Sequence, residues 1–176
     1  MRQETKITKF DKRLQRAEHL ETAFVDAFIS AGLWAHRIRN GSASAPLLRV
    51  PLSDLKTRAP DIIVFKDGRY CLIEIKESLV DGQHFTLYDH QLRDYFTHLM
   101  QVNCLLVVCV SEGDYGGYVG CISLHRLKEL VILEHQRDKI LIPVMALDLL
   151  GTYKDTQIRL MPKALYKALN CFYAST

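Results

Sequence analysis

The chain has 176 residues, with 23 Lys and Arg against 20 Asp and Glu and a formal net charge of +3. That length fits one domain with a sizeable core, and so slight an excess of base does not by itself mark a nucleic-acid binder. Cys71, Cys104, Cys109, Cys121 and Cys171 form no C-x-x-C pair and read as reduced core residues. The longest apolar run, Cys104 to Val110, is far too short to span a bilayer, and the polar N-terminus lacks an apolar signal core, so a soluble, cytoplasmic location is expected.

Residues 1–13 show no period and read as a flexible basic arm. From Leu14 to Ile29, the apolar residues Leu14, Ala17, Leu20, Phe24, Val25 and Phe28 recur at helical spacing and fill an arc of roughly 140°. Glu21 falls inside that arc, whereas Glu18 falls just outside it. An acid facing the core needs a partner: either an arginine, or a metal site towards which the helix aims the carboxylate. Ala31-Gly32 ends the helix, and Leu33 to Ile38 alternates as a first strand. Asn40 to Thr57 is rich in small residues and reads as a projecting loop of a length usually reserved for function. Arg37, Arg39, Arg49, Lys56 and Arg58 surround it. These five and the six basic residues of the N-terminal stretch, Arg2, Lys6, Lys9, Lys12, Arg13 and Arg16, each fit solvated surface alone, but two clusters flanking a carboxylate site fit a polyanionic substrate better, and the five around the loop are the candidate DNA contacts.

The central stretch, Arg58 to Ser78, is two apolar strands joined at Lys66-Asp67-Gly68-Arg69, where Asp-Gly marks a hairpin turn. Asp61 opens the first strand. On the second, alternation sets Leu72, Glu74 and Lys76 on one face and Cys71, Ile73 and Ile75 on the other, which reads as core. The same three charges would suit an ordinary solvated strand face, but converging carboxylates are costly without a cation between them. Oxygen ligands of this kind suit Mg²⁺ or Mn²⁺.

Asp81-Gly82 marks another turn, and Tyr88 to Met100 reads as a helix with a core stripe of Tyr88, Leu92, Tyr95, Phe96, Leu99 and Met100, flanked by Gln91. Asn103 to Ser111 is the run expected of a central strand buried on both faces. A strand from Tyr118 to Leu124, a helix from His125 to about Glu134 and a strand from Ile140 to Ala146 follow. Residues 147–176 carry only a weak basic helical pattern around Lys163 and Lys167.

The Pro60-Asp61 and Glu74-Ile75-Lys76 pair is the pattern of the PD-(D/E)XK nuclease superfamily. The order of elements, a helix with an inward Glu, a strand, an Asp-bearing strand, an E-x-K strand, a helix with Gln and an apolar strand, resembles its Holliday junction resolvases over roughly residues 17–125. Glu74-Ile75-Lys76-Glu77-Ser78, Phe85-Thr86-Leu87 and His90-Gln91 resemble the RecU-type signature, with Ser78 where Thr is usual. Leu20-Glu21, Gly32 and Pro60-Asp61-Ile62-Ile63 resemble the archaeal type.

The resemblance implies an α/β fold, a mixed central sheet flanked by helices with a restriction-endonuclease-like core, in a single domain spanning residues 1–176. It implies Asp61 and Glu74 as ligands of Mg²⁺ or Mn²⁺, with Glu21 a further ligand directly or through water. Lys76 would orient or activate the attacking water, Gln91 would donate a supporting hydrogen bond, and residues 40–57 would occupy the place of a stalk entering the junction centre. The expected function is structure-specific endonuclease action on four-way DNA junctions by a homodimer. The alternatives are another nuclease of the superfamily, of restriction or repair type, or a module of the same fold that binds DNA without cutting it.

Overall fold

A computed structural model describes residues 9–38, 60–81, 83–100, 104–111, 117–131, 139–154 and 157–174. The first helix, α1 (Lys9–Ser30), begins inside the stretch expected to be a flexible arm and carries Leu20, Phe24 and Phe28 inward. It ends as the sequence anticipates. Gly32 takes φ 83°, the Gly32 N–H donates to Ile29 O, and the Leu33 N–H donates back to Phe28 O at 3.1 Å. This is the glycine-terminated cap in which the last carbonyls of a helix find donors.

The strands β1 (Trp34–Arg37), β2 (Ile62–Lys66) and β3 (Arg69–Asp81) form an antiparallel meander. The β2–β3 turn places Asp67 at φ 50° and Gly68 at φ 76°, with Lys66 opposite Arg69. Two successive positive φ values match the right-handed twist of the flanking strands, and Asp-Gly tolerates them. After a turn, β4 (His84–Tyr88) returns antiparallel to the end of β3.

Next come α2 (Asp89–Asp94), a π-helical turn at Tyr95–Leu99, β5 (Cys104–Ser111), β6 (Gly117–Ser123) and α3 (Leu124–Val131). The chain continues through β7 (Lys139–Pro143), a 3-10 turn at Val144–Ala146, β8 (Asp148–Lys154), β9 (Gln157–Leu160) and α4 (Pro162–Ala174). The sheet runs β1-β2-β3-β5-β6-β8-β9, with β4 and β7 branching from the end of β3. Among the described residues β3 and β5 make the one parallel pair, so the sheet is mixed as expected.

Two cores cover its faces. On one, Leu20, Phe24 and Phe28 of α1 and Leu165, Leu169 and Phe172 of α4 pack on Ile62, Val64, Cys71, Ile73 and Val107. On the other, Leu92, Tyr95, Leu99, Leu124 and Leu127 pack with Phe85, Leu87, Ile140 and Ile142 over Ile63, Leu72, Leu106 and Val108. β5 is therefore buried from Cys104 to Val110, which explains its unbroken apolar sequence.

The structure also differs from the sequence reading later in the chain. The five-residue strand β4 occupies the approach to α2, and Tyr88, expected in the core stripe, is 40% exposed at the helix start. The last strand before the 3-10 turn stops at Pro143, and a final backbone bond from the Val144 N–H to Gln83 O at 2.9 Å leads into the turn. The strands β8 and β9 form where no strand was anticipated, because β8 does not alternate and β9, at the sheet edge, alternates over only four residues. Finally, Cys171 is exposed on α4, while the other four cysteines are buried.

Candidate active site

The β2–β3 hairpin builds the site. Asp61 precedes the first paired residue of β2, Ile62, which faces Ile73. Its backbone N–H donates to Ile73 O at 3.0 Å, and its Oδ2 accepts the Ile75 N–H at 2.7 Å. Its C=O in turn accepts the Ile38 N–H at 2.8 Å. Asp61 thus grips the β3 backbone on both sides of Glu74, and one carboxylate oxygen is fixed by a donor that the end of the β2 ladder would otherwise leave open. This fixes the orientation of the Asp61 side chain.

Glu74 is 1% exposed. Its neighbours Cys71 and Ile73 enter the α1 core and Leu72 the α2 core, so alternation puts Glu74 and Lys76 on the α2 side. Glu77 confirms the phase from the other side of the strand: its Oε1 accepts from the Tyr153 hydroxyl at 2.6 Å and pairs with Arg16 of α1 at 2.5 Å. The two hairpin carboxylates act on a common neighbour. Burial pushes the Cys104 thiol well up, and the charges of Glu74 and, more weakly, Asp61 push it further. Lys76 is half-buried, two residues beyond Glu74.

Gln91 is buried at the start of α2, where its Oε1 accepts the Tyr88 N–H at 3.2 Å. It serves there as an acceptor closing the helix terminus, a different contact from the donor role the resemblance implies. Its neighbour Leu92 packs in the core that contains Leu72 and Leu106. The segments that resemble the RecU-type signature are also joined in space. The Thr86 N–H donates to Ser78 Oγ at 3.2 Å, and Ser78 Oγ lies 3.4 Å from Thr86 O, stitching the end of β3 to the Phe85-Thr86-Leu87 strand.

Glu21 is held by an arginine. The Arg37 Nε donates to Glu21 Oε2 at 2.7 Å, and a second guanidinium nitrogen lies 2.6 Å from the same oxygen, with both side chains about one-fifth exposed. Arg37, a candidate DNA contact, is therefore engaged with α1, because its strand position points it at the helix. Arg39, Arg49, Lys56 and Arg58, and the loop at 40–57, lie outside the described residues. Glu77, Arg16 and Tyr153 form a network the sequence did not disclose, since Glu77 and Tyr153 are 76 positions apart.

Among the described residues, no three His, Cys, Asp or Glu side chains gather as a metal-holding group, so Glu21 does not join the hairpin carboxylates directly. Two carboxylates still fit a small hard cation. Mg²⁺ keeps much of its water shell and is commonly held by one or two carboxylates together with substrate phosphate oxygens. The donor chemistry of Asp61 and Glu74 thus suits Mg²⁺ or Mn²⁺ and does not suit a soft-ligand metal. No helix among the described residues is long and apolar enough to cross a membrane.

No protein-family model matches the chain, and no curated protein matches it. Among solved structures, the chain is similar to the Holliday junction resolvase Hjc of the archaeal hyperthermophile Archaeoglobus fulgidus. The TM-score is 0.44 at 15% identity, over 73% of this chain and 89% of that one. It is also similar to a nuclease from a fusellovirus, with TM-score 0.44 at 11% identity, over 96% of both chains.

Proposed function

We propose that the protein is a metal-dependent, structure-specific DNA endonuclease that hydrolyses phosphodiester bonds, acting on four-way junctions as a homodimer. The observation that carries the reading is the hairpin itself: Asp61 clasps β3 on either side of Glu74, and Lys76 follows on the same strand face. Asp61 and Glu74 would hold Mg²⁺ or Mn²⁺. When bound, such an ion lowers the pKa of a coordinated water and neutralises charge building on the phosphoryl oxygens.

The chain's own residues do the rest. The Ile75 N–H fixes one Asp61 oxygen and so presets the direction of the carboxylate. Lys76 donates to the attacking water or to a phosphoryl oxygen and keeps it in line. Gln91 anchors the start of α2 beside this strand. Glu21 acts at one remove, through Arg37 or through water, placing α1 against the hairpin. Preference for junctions rests on the likeness of the Glu74 to Gln91 segments to the RecU-type signature and on the loop at 40–57.

The decisive experiment incubates the purified protein with Mg²⁺ or Mn²⁺ on four-way, flap and linear duplex DNA side by side. Paired symmetric cuts at the four-way junction, lost with EDTA, are the expected result. Cleavage of flaps or linear duplex at equal rates would replace the junction reading with a general nuclease, and binding without any cleavage would leave a DNA-binding module.

A further inference from the structure

The hairpin carries a second surface, outside the carboxylate site. Trp34 of β1 lies opposite Phe65 of β2, and Phe65 lies opposite Tyr70 of β3, so three aromatic side chains form one cross-strand row. The Trp34 and Phe65 rings meet edge to face with centroids 5.0 Å apart, and Phe65 and Tyr70 are tilted at 6.3 Å. His36 stacks on Trp34 at 5.9 Å. The row is nevertheless open: Trp34 is 55%, Phe65 39% and Tyr70 49% exposed. Cross-strand aromatic pairs stabilise a sheet, but that alone does not require leaving so much ring surface in water.

From the geometry we infer that this row is a stacking platform for unpaired bases of a single-stranded DNA segment. The occupant follows from three features. First, the rings are tilted to one another and so present separate π-faces. A base needs only one such face to stack, whereas a dry seam against another protein needs a continuous complementary surface. Second, the row is continuous with the candidate active site. Tyr70, Leu72, Glu74 and Lys76 alternate onto one face of β3, so Tyr70 lies roughly 13 Å from Glu74 at the rise of an extended strand. Third, His36 stacks on Trp34 within the row, giving a hydrogen-bonding group for the phosphates between stacked bases. The inference extends the nuclease reading by naming unpaired bases as part of the substrate, and it rests on that reading for the strand's path towards Glu74.

The test uses the protein's single tryptophan, which is Trp34 itself. The full chain in EDTA is titrated with oligothymidylate about a dozen nucleotides long, and with an abasic strand of the same length, while tryptophan emission is followed. Saturable quenching by oligothymidylate and little or none by the abasic strand is expected. Phe65→Leu and Tyr70→Leu, which keep apolar bulk, should each weaken oligothymidylate binding by about ten-fold, at the lower end of what one stacked base contributes. Circular dichroism melting confirms that the variants are folded.

Unchanged emission, or equal affinity for base-bearing and abasic strands, would overturn the platform. So would sedimentation showing that two copies of the chain already cover the row in the absence of DNA. The assay needs neither metal nor cleavage, so it separates the two readings. Quenching without any cleavage would sink the nuclease and keep the platform, and cleavage without quenching would do the reverse.

Discussion

The Asp61 carboxylate accepts the backbone N–H of Ile75 at 2.7 Å, which fixes the acid against the strand that bears Glu74 and Lys76. The contact closes the ladder at the open end of the hairpin and sets the direction of a candidate metal ligand. Asp61→Asn and Glu74→Gln should each lower cleavage by at least about a hundred-fold, as loss of a group that holds or orients a metal does. Binding to DNA in EDTA should be unchanged or tighter, since each substitution removes negative charge near phosphate. Substantial cleavage by either variant would remove the assignment. Lys76→Met should lower the cleavage rate while leaving DNA affinity within a few-fold.

Glu21 and Glu18 differ in what they touch. Glu21 is ion-paired with Arg37, with both side chains about one-fifth exposed, whereas Glu18 lies on the exposed side of α1. Glu21→Gln should cost about 1–3 kcal/mol of stability, the usual scale for weakening a charge-assisted contact away from solvent. Glu18→Gln should change stability by no more than about 0.5 kcal/mol. Urea unfolding of the two variants checks this. If cleavage by Glu21→Gln falls at temperatures where the variant is fully folded, Glu21 also positions the site.

Tyr153 supplies a pH test. Burial, followed by its hydrogen bond to the Glu77 carboxylate, pushes the phenol up to about 12 from its ordinary 10.0. The folded state therefore favours the neutral phenol. That contribution is complete below pH 10 and is lost as pH rises from 10 through about 12. Tyr173, also pushed up to about 12 by burial, shares the loss, so the comparison must be with a variant. Tyr153→Phe should be less stable near neutrality, and its melting temperature should fall less steeply than the parent's across pH 10 to 12. Parallel pH profiles would show that the Glu77 contact does not contribute.

The loop from Asn40 to Thr57 lies outside the described residues and is expected to meet DNA. Arg49→Ala with Lys56→Ala should weaken binding to all DNA and flatten its dependence on salt, because two phosphate contacts are lost. Shortening Ser42 to Leu48 should instead lower the preference for four-way junctions over linear duplex. A shortened protein that discriminates junctions as well as the parent would dispose of the stalk.

Sequence alone was enough wherever the physical cause was local. Asp67-Gly68 specified the hairpin because two adjacent residues must tolerate positive φ, and both do. Strand alternation assigned Glu74 and Lys76 to one face. The unbroken apolar run after Asn103 identified the strand that both cores cover. Gly32 ended α1 for the same kind of reason, a backbone conformation set within a few residues.

Tertiary structure decided the rest, because burial and partners are set by residues far apart in the chain. The inward phase of Glu21 was legible and left an arginine or a metal as its partner. Only the packing of β1 against α1 identified that partner as Arg37. The strand β8 has too little alternation to announce itself and β9 alternates over only four residues; they exist because β6 offers an edge for β8 and β8 then offers one for β9. Tyr88 fits a helical stripe by spacing, yet it is exposed because β4 occupies the preceding turn and fixes where α2 begins. The aromatic row depends most of all on pairing register. Trp34, Phe65 and Tyr70 come from three different strands and become neighbours only when the antiparallel registers of β1, β2 and β3 align them.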